Sequence, residues 1–233
     1  MRIFQKGFNF SQDGPGNRLV YHLSGCNMRC IWCSNPEGMR ADAGIDYALE
    51  ELLDECIRSR MLFFSGGGVT FTGGEATVQY EELSRLLKML KKAGIHTAIE
   101  TNGTSLHLQE LLEDIDYLMM DFKHYDSDIL KRYTGVGNEQ VKYNFEENCR
   151  KKRKQHIRIP LIRHINSEHP EEFAKYFSAF DTQNTVFEFL PYHEYGKEKW
   201  VDTYQVKDGF ITEAQQKEFE AIFKQYGLQI VRT

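Results

Sequence analysis

Three of the five cysteines in this 233-residue chain, Cys26, Cys30 and Cys33, fall within eight residues at the spacing Cys-x3-Cys-x2-Cys. Thiolates so close on one short loop can converge on a soft metal centre, and sulfur ligands select zinc, copper(I) or an iron–sulfur cluster. A closed zinc site takes four ligands, and a simple electron-transfer cluster takes four cysteines. The motif supplies three. Cys56 and Cys149 are solitary and lie in helix-patterned segments, so neither is an obvious fourth. The pattern points to an iron–sulfur cluster with one iron open to a small ligand.

Other residues with chemical capacity fall at the ends of strand-like segments. In GGGVTFTGGEA, Gly73 and Gly74 let a ligand approach the backbone closely and Glu75 can accept from an ammonium group. Glu100, Thr101 and Asn102 close another segment, and Met119, Asp121 and Lys123 a third. Two acids and a lysine on adjacent strand ends are costly to bury unless a cation or charged ligand joins them. Taken alone, Arg158 reads as a surface residue and His193 as a structural histidine, and an Asx turn without catalytic meaning is the alternative for Asp13.

These residues stand among the segments SQDGPGNRLV, GGGVTFTGGEA, IETNG, DYLMMDFKHY, TGVGN, HIRIPLI and FLPYHEYGKEKW. In that order, with the cysteine spacing, the chain resembles the radical S-adenosylmethionine (SAM) enzymes, most of all the pyruvate formate-lyase activating enzymes. The resemblance implies a 4Fe-4S cluster on Cys26, Cys30 and Cys33, its open iron taken by the amino and carboxylate groups of SAM. It assigns Gly73, Gly74 and Glu75 to the SAM amino group. Glu100, Thr101, Asn102, Asp121, Lys123, Arg158 and His193 match positions around SAM, and Trp32, Ser34 and Asn35 lie beside the cluster. Trp32 would cover the cluster or stack on adenine. A monovalent cation is implied at Glu100, Thr101, Asp121 and the backbone of Met119, with Glu100 replacing the family's Asp. Asp13 matches a residue that meets the substrate's glycine loop, so Asp13 and Lys123 are the catalytic candidates. Ser34 stands where the family commonly has His, and RHINS at 163–167 where it commonly has a Pro-Gly turn.

The implied reaction is reductive cleavage of SAM to a 5′-deoxyadenosyl radical, which takes a hydrogen from a glycine of a glycyl radical enzyme. The segment between Cys33 and Gly66 contains no cysteine-rich insert, so the electron must come from an outside donor such as a flavodoxin or ferredoxin-like protein. Two rivals stand beside this reading: a radical SAM enzyme acting on a small molecule, and a binding module with structural zinc. The first would need capping segments, and the second leaves the GGE, ETNG and PYH segments unexplained.

The elements that must carry these groups follow from periodicity. Residues 1–17 read as an irregular lead-in ending in the turn-rich DGPGN, and RLVYHLSG as the first strand. A helix is expected from Ile45 to Met61, then strands VTFTGG and IHTAIETNG separated by a helix bearing Leu83, Leu86, Leu87 and Leu90. Leu108, Leu111, Leu112 and Ile115 mark another helix before the strand YLMMDFK. Residues 144–154 read as a helix, IRIPLI and TVFEFLP as strands flanking a helix with Phe173, Tyr176, Phe177 and Phe180. Thr212 and Gln215 open the closing helix with a capping-box pattern. The basic run Arg150–Lys154 ends a helix, where cations complement the dipole. Strands alternating with helices predict an α/β fold with parallel pairing. The resemblance implies the partial (β/α)6 TIM barrel of the radical SAM type, with residues 1–233 as one domain.

Hydrophobic content of 41% and a net charge of −5 give no basic excess that would suggest nucleic acid. Apolar runs are strand-sized, and MRIFQKGFNF lacks an apolar signal core, so a cytoplasmic protein that neither spans nor enters the membrane is expected. Five cysteines make no disulfide framework, and a monomer is expected.

Overall fold

The computed structural model of the protein describes residues 1–10 and 12–232. Ser11, the first residue of the SQDGPGNRLV segment, and Thr233 lie outside the described residues. The chain divides into two compact units, the first built from Met1–Asn27, Asn35–Thr101 and Ser105–Met119, the second from Met28–Ser34, Asn102–Thr104 and the chain from Met120 onward.

The first unit contains β1 (Arg2–Asn9), β2 (Arg18–Leu23), β3 (Ile45–Asp46), α1 (Leu49–Arg58), β4 (Gly68–Gly73), α2 (Tyr80–Lys92), β5 (Thr97–Thr101), α3 (Leu108–Leu111) and the start of β6 (Tyr117–Asp121). Its strands lie in the order β3-β1-β2-β4-β5-β6. β2, β4 and β5 run parallel, with Leu19 opposite Val69 and Val69 opposite Thr97. Alternation along these strands separates two faces. On one, Tyr21 stacks on Phe71 with ring centroids 5.8 Å apart, and the helices bring Leu52, Leu83, Leu86, Leu87 and Leu90, all fully buried. Each such leucine contributes about 2 kcal/mol of burial. The other face carries Arg18, Val20, Thr70, Thr72, Ala98 and Glu100, and is largely polar.

Residues 2–9 form a strand, not the irregular lead-in that the sequence suggests. β1 pairs antiparallel with β2, Lys6 opposite Tyr21. Within it only Ile3 is buried, so this strand has too few core positions to print an alternating pattern. The helix expected from Ile45 begins at Leu49, because Ile45 and Asp46 pair with Ile3 and Arg2 of β1. Glu51 then accepts from the Ala48 N–H at 3.0 Å to start the helix. The helix expected around Leu108–Ile115 shortens to α3 and a 3-10 turn ending at Asp114.

The second unit holds the end of β6, then α4 (Ser127–Thr134), α5 (Glu139–Arg150), β7 (Gln155–Leu161), α6 (Pro170–Ser178), β8 (Thr185–Pro191) and α7 (Glu213–Gln225). Just past β6, Phe122 N–H donates to Arg158 O at 2.8 Å, and β7 pairs parallel with β8, placing Arg158 opposite Glu188. An aromatic core fills this unit. Phe177 meets Phe122 at 4.7 Å, Phe145 at 5.0 Å and Phe187 at 4.7 Å between centroids, geometries that add to simple burial.

α4 was not expected from the sequence. Asp126 caps it by accepting from Ile129 N–H at 2.9 Å, and Gly135 ends it at φ 82°, a conformation glycine adopts freely. α5 starts five residues before the expected Asn144 and stops at Arg150. The Thr212–Gln215 capping box is present, Gln215 N–H donating to Thr212 Oγ1 at 3.2 Å. Among the described residues there are eight strands instead of six, β1 and β3 being the additions.

Candidate active site

β2 delivers the chain into the cysteine loop, and the backbone fixes its entry. Gly25 N–H donates to Gly38 O at 2.9 Å, Glu75 N–H to Gly25 O at 2.8 Å, and Gly74 N–H to Leu23 O at 2.9 Å. The Gly73-Gly74-Glu75 turn after β4 is therefore tied to the residue just before Cys26. Gly73 has φ 124°, and a Cβ on Gly74 would collide with the carbonyl oxygens of Gly38 and Gly25. Both positions need glycine for reasons of backbone packing alone.

Glu75 is buried. Its Oε1 accepts from Thr77 N–H at 3.0 Å, from Thr77 Oγ1 at 2.6 Å and from Thr101 Oγ1 at 2.7 Å. The residue thus caps the short 3-10 turn that follows and orients its carboxylate by three donors on one oxygen. Thr101, expected to face a ligand, spends its proton on Glu75. Glu100 Oε2 accepts from Thr72 Oγ1 at 2.5 Å. Met119 is buried.

The Asp13 turn rests on the polar face of this unit. Thr70 Oγ1 donates to Asp13 O at 2.6 Å, and Asn9 Nδ2 donates to the Asp13 carboxylate. Beneath lies Arg18, with no exposed surface. It donates to Pro15 O at 3.0 Å, to Val69 O at 2.6 Å and to Thr70 Oγ1. Burial lowers its pKa to about 10 against the opposing pull of Asp116 and Asp13, so the guanidinium stays charged at neutral pH.

In the second unit Cys30 is buried and Cys33 half-buried, with Cys33 N–H donating to Cys30 O at 3.1 Å. The loop is held to the end of α4 by Arg29 N–H on Thr134 O at 2.7 Å and Ile31 N–H on Tyr133 O at 3.2 Å. Trp32 is buried with its ring 6.4 Å from that of Tyr133. Asn102 Oδ1 accepts from Thr104 N–H at 3.0 Å and Thr104 Oγ1 at 2.6 Å, a local turn that commits this oxygen. In the first unit, Asn35 O accepts from Gly38 N–H at 3.0 Å.

Asp121 and Lys123 form an ion pair at 2.6 Å, and Arg158 Nε lies 3.9 Å from Asp121 Oδ1. Burial opposes the Asp121 charge, yet Lys123 and Arg158 outweigh it and hold the carboxyl below its usual range. Its Oδ1 is nonetheless buried with no hydrogen bond among the described residues. His156 and Glu188, neither singled out from the sequence, approach to 3.2 Å in the same unit. His156 stands two residues before Arg158 on β7, and that spacing was the available signal that the two share a face. His193, just past β8, is exposed and stacks on Tyr195 at 4.3 Å.

Residues 20–177 match the radical SAM superfamily. The chain is 36% identical over 197 residues to a pyruvate formate-lyase-activating enzyme of Clostridium pasteurianum, covering 81% of this chain and 80% of that one. A pyruvate formate-lyase 1-activating enzyme of Escherichia coli is 35% identical, with 81% and 79% covered. The chain belongs to the pyruvate formate-lyase-activating enzymes of the radical SAM superfamily. A crystal structure of a domain of such an enzyme from Bacteroides vulgatus superposes with a TM-score of 0.60 at 28% identity, covering 71% of this chain and 98% of that one. A radical SAM methyltransferase from Sphaerobacter thermophilus shares the fold, at a TM-score of 0.70 and 15% identity over 96% of this chain and 67% of that one. The fold class is thus the expected one, α/β of the radical SAM type, and the family's cofactors are a 4Fe-4S cluster and SAM.

The residues present fit those cofactors. Cys26, Cys30 and Cys33 are reduced thiols, the soft donor set that iron–sulfur clusters take. The unsatisfied Asp121 oxygen is a buried acceptor awaiting a donor. Cys56 and Cys149 are buried in the two cores, where burial pushes each thiol up to about 11. No helix is long and apolar enough to cross a membrane among the described residues.

Proposed function

We propose that the protein activates a glycyl radical enzyme of the pyruvate formate-lyase type. The observation that supports this most is the residue just before the three-cysteine motif, Gly25 just past β2, tied by a backbone hydrogen bond to Glu75 of the Gly-Gly-Glu turn. When bound, the cluster and SAM would supply one-electron cleavage to a 5′-deoxyadenosyl radical able to take a glycine hydrogen.

The chain's own residues position, charge and shield. Cys26, Cys30 and Cys33 are the iron ligands. Gly73 and Gly74 present backbone to SAM while the preoriented Glu75 carboxylate accepts from its ammonium. Glu100, Thr101, Asn102, Asp121, Lys123, Arg158 and His193 are the further SAM contacts, and Trp32 excludes water beside the thiolates. Asp13 meets the substrate glycine loop. The electron comes from a flavodoxin or ferredoxin-like donor. Residues 1–233 act as one monomeric radical SAM domain in the cytoplasm, where the thiols stay reduced.

The test is anaerobic reconstitution followed by reductant, SAM and a peptide spanning a glycyl radical loop, deuterated at the glycine Cα. Deuterium is expected in 5′-deoxyadenosine, and Cys26→Ala, Cys30→Ala or Cys33→Ala should abolish both cluster and product. Deuterium that stays in the peptide while a metabolite supplies the hydrogen would overturn the activase reading.

A further inference from the structure

FLPYHEYGKEKW matches the family as a block, yet only His193 of it has a role so far. The chain past β8 leaves Tyr192 and returns to it. Tyr192 OH and Tyr204 OH lie 2.8 Å apart, closing a loop of the compact Ω kind, about 6–16 residues long. Two contacts of this loop fall on the cysteine motif. Trp200 Nε1–H donates to the carbonyl oxygen of Cys33 at 3.0 Å. The backbone of Gly196 lies so close to Ser34 that a Cβ there would collide with Ser34 O, Cα and C. Trp200 is braced in turn by Tyr204, edge to face with centroids 5.6 Å apart, and by the turn Trp200 N–H makes to Lys197 O at 3.3 Å.

We infer that this loop is a clasp on the cysteine motif and that Trp200 is a positioning residue for the cluster. The indole is a donor only, half-buried, and its partner is the backbone of a proposed ligand. It fixes the peptide plane from which the Cys33 thiolate projects, and the Gly196 contact holds the backbone of the next residue, Ser34. Hydrogen bonding and solvent exposure around the thiolates set a cluster's potential and persistence. The inference rests on Cys33 being an iron ligand.

The test compares Trp200→Phe, which keeps the ring and removes the donor, with Gly196→Ala, Cys33→Ala and the wild type. Each is reconstituted anaerobically, and three quantities are read: iron release to a chelator, the midpoint potential, and the electron paramagnetic resonance spectrum of the reduced cluster. Trp200→Phe should release iron about 5-fold faster, the value of one hydrogen bond of about 1 kcal/mol, with an altered spectrum and a shifted potential. Gly196→Ala should do the same through a different contact, and metal-free Trp200→Phe should melt no more than about 2–4 °C below the wild type, the value of that one bond. Cys33→Ala should hold no full cluster. If it does hold one, the ligand assignment falls and the clasp with it. If Cys33→Ala loses the cluster while Trp200→Phe and Gly196→Ala both match the wild type in release, potential and spectrum, the clasp alone is wrong.

Discussion

Glu75 has two jobs that one substitution can separate. Its Oε1 takes three donors, Thr77 N–H, Thr77 Oγ1 and Thr101 Oγ1, at 3.0, 2.6 and 2.7 Å, while its charge is proposed to meet the SAM ammonium. Glu75→Ala removes both: it loses a cap, at about 1 kcal/mol, and two hydroxyl hydrogen bonds, at about 0.5–1.5 kcal/mol each. The sum is about 2–4 kcal/mol, or about 4–16 °C in melting temperature for a chain of this size. Glu75→Gln keeps an amide oxygen in the place of Oε1, so metal-free protein should melt above Glu75→Ala. It loses the charge, and a charge-assisted bond exceeds a neutral one by about 1–1.5 kcal/mol, so SAM affinity should fall about 5- to 13-fold. Calorimetry on metal-free protein gives the first number, and SAM titration of the anaerobically reconstituted enzyme the second. If Glu75→Gln melts as low as Glu75→Ala, the three-donor oxygen does not hold the turn. If it binds SAM as the wild type does, the carboxylate charge plays no part in binding.

Arg18→Met should cost about 3–5 kcal/mol in denaturant unfolding, because it leaves buried acceptors of the Asp13 turn and β4 unpaired; a loss below about 1 kcal/mol would mean the guanidinium holds nothing. Cys56 and Cys149 should make stability fall in alkali. Their folded pKa, raised by burial from 9.0 to about 11, keeps protons that the unfolded chain releases, so their contribution is full below about pH 9 and is lost as pH rises to about 11. Cys56→Ala combined with Cys149→Ala should flatten that part of the melting-temperature profile, and an unchanged slope would refute the burial argument.

Much of the candidate site is written in short segments, and those are the legible parts. The cysteine spacing, the GGE turn and the strand ends at Glu100 and Asp121 each need only a few neighbouring residues to be recognised. β1 is not legible because a strand with one buried residue has no face to pattern, and α4 because one turn of capping and two buried side chains leave little periodicity. The donors that orient Glu75 are ordinary threonines whose purpose lies in a carboxylate two and 26 residues away. Trp200 and Cys33 are 167 positions apart, and only the return of the chain after β8 brings them together.

The ties among Leu23, Gly25, Gly38, Gly74 and Glu75 run from backbone to backbone, and none of them requires iron. In small zinc domains the metal's binding energy is the folding energy, and a chelator unfolds the chain. Here the entry to the thiol loop is built by the sheet itself. A side-chain change that leaves this backbone path intact therefore leaves the entry in place, whereas a Cβ at Gly73 or Gly74, which would meet backbone atoms, displaces it.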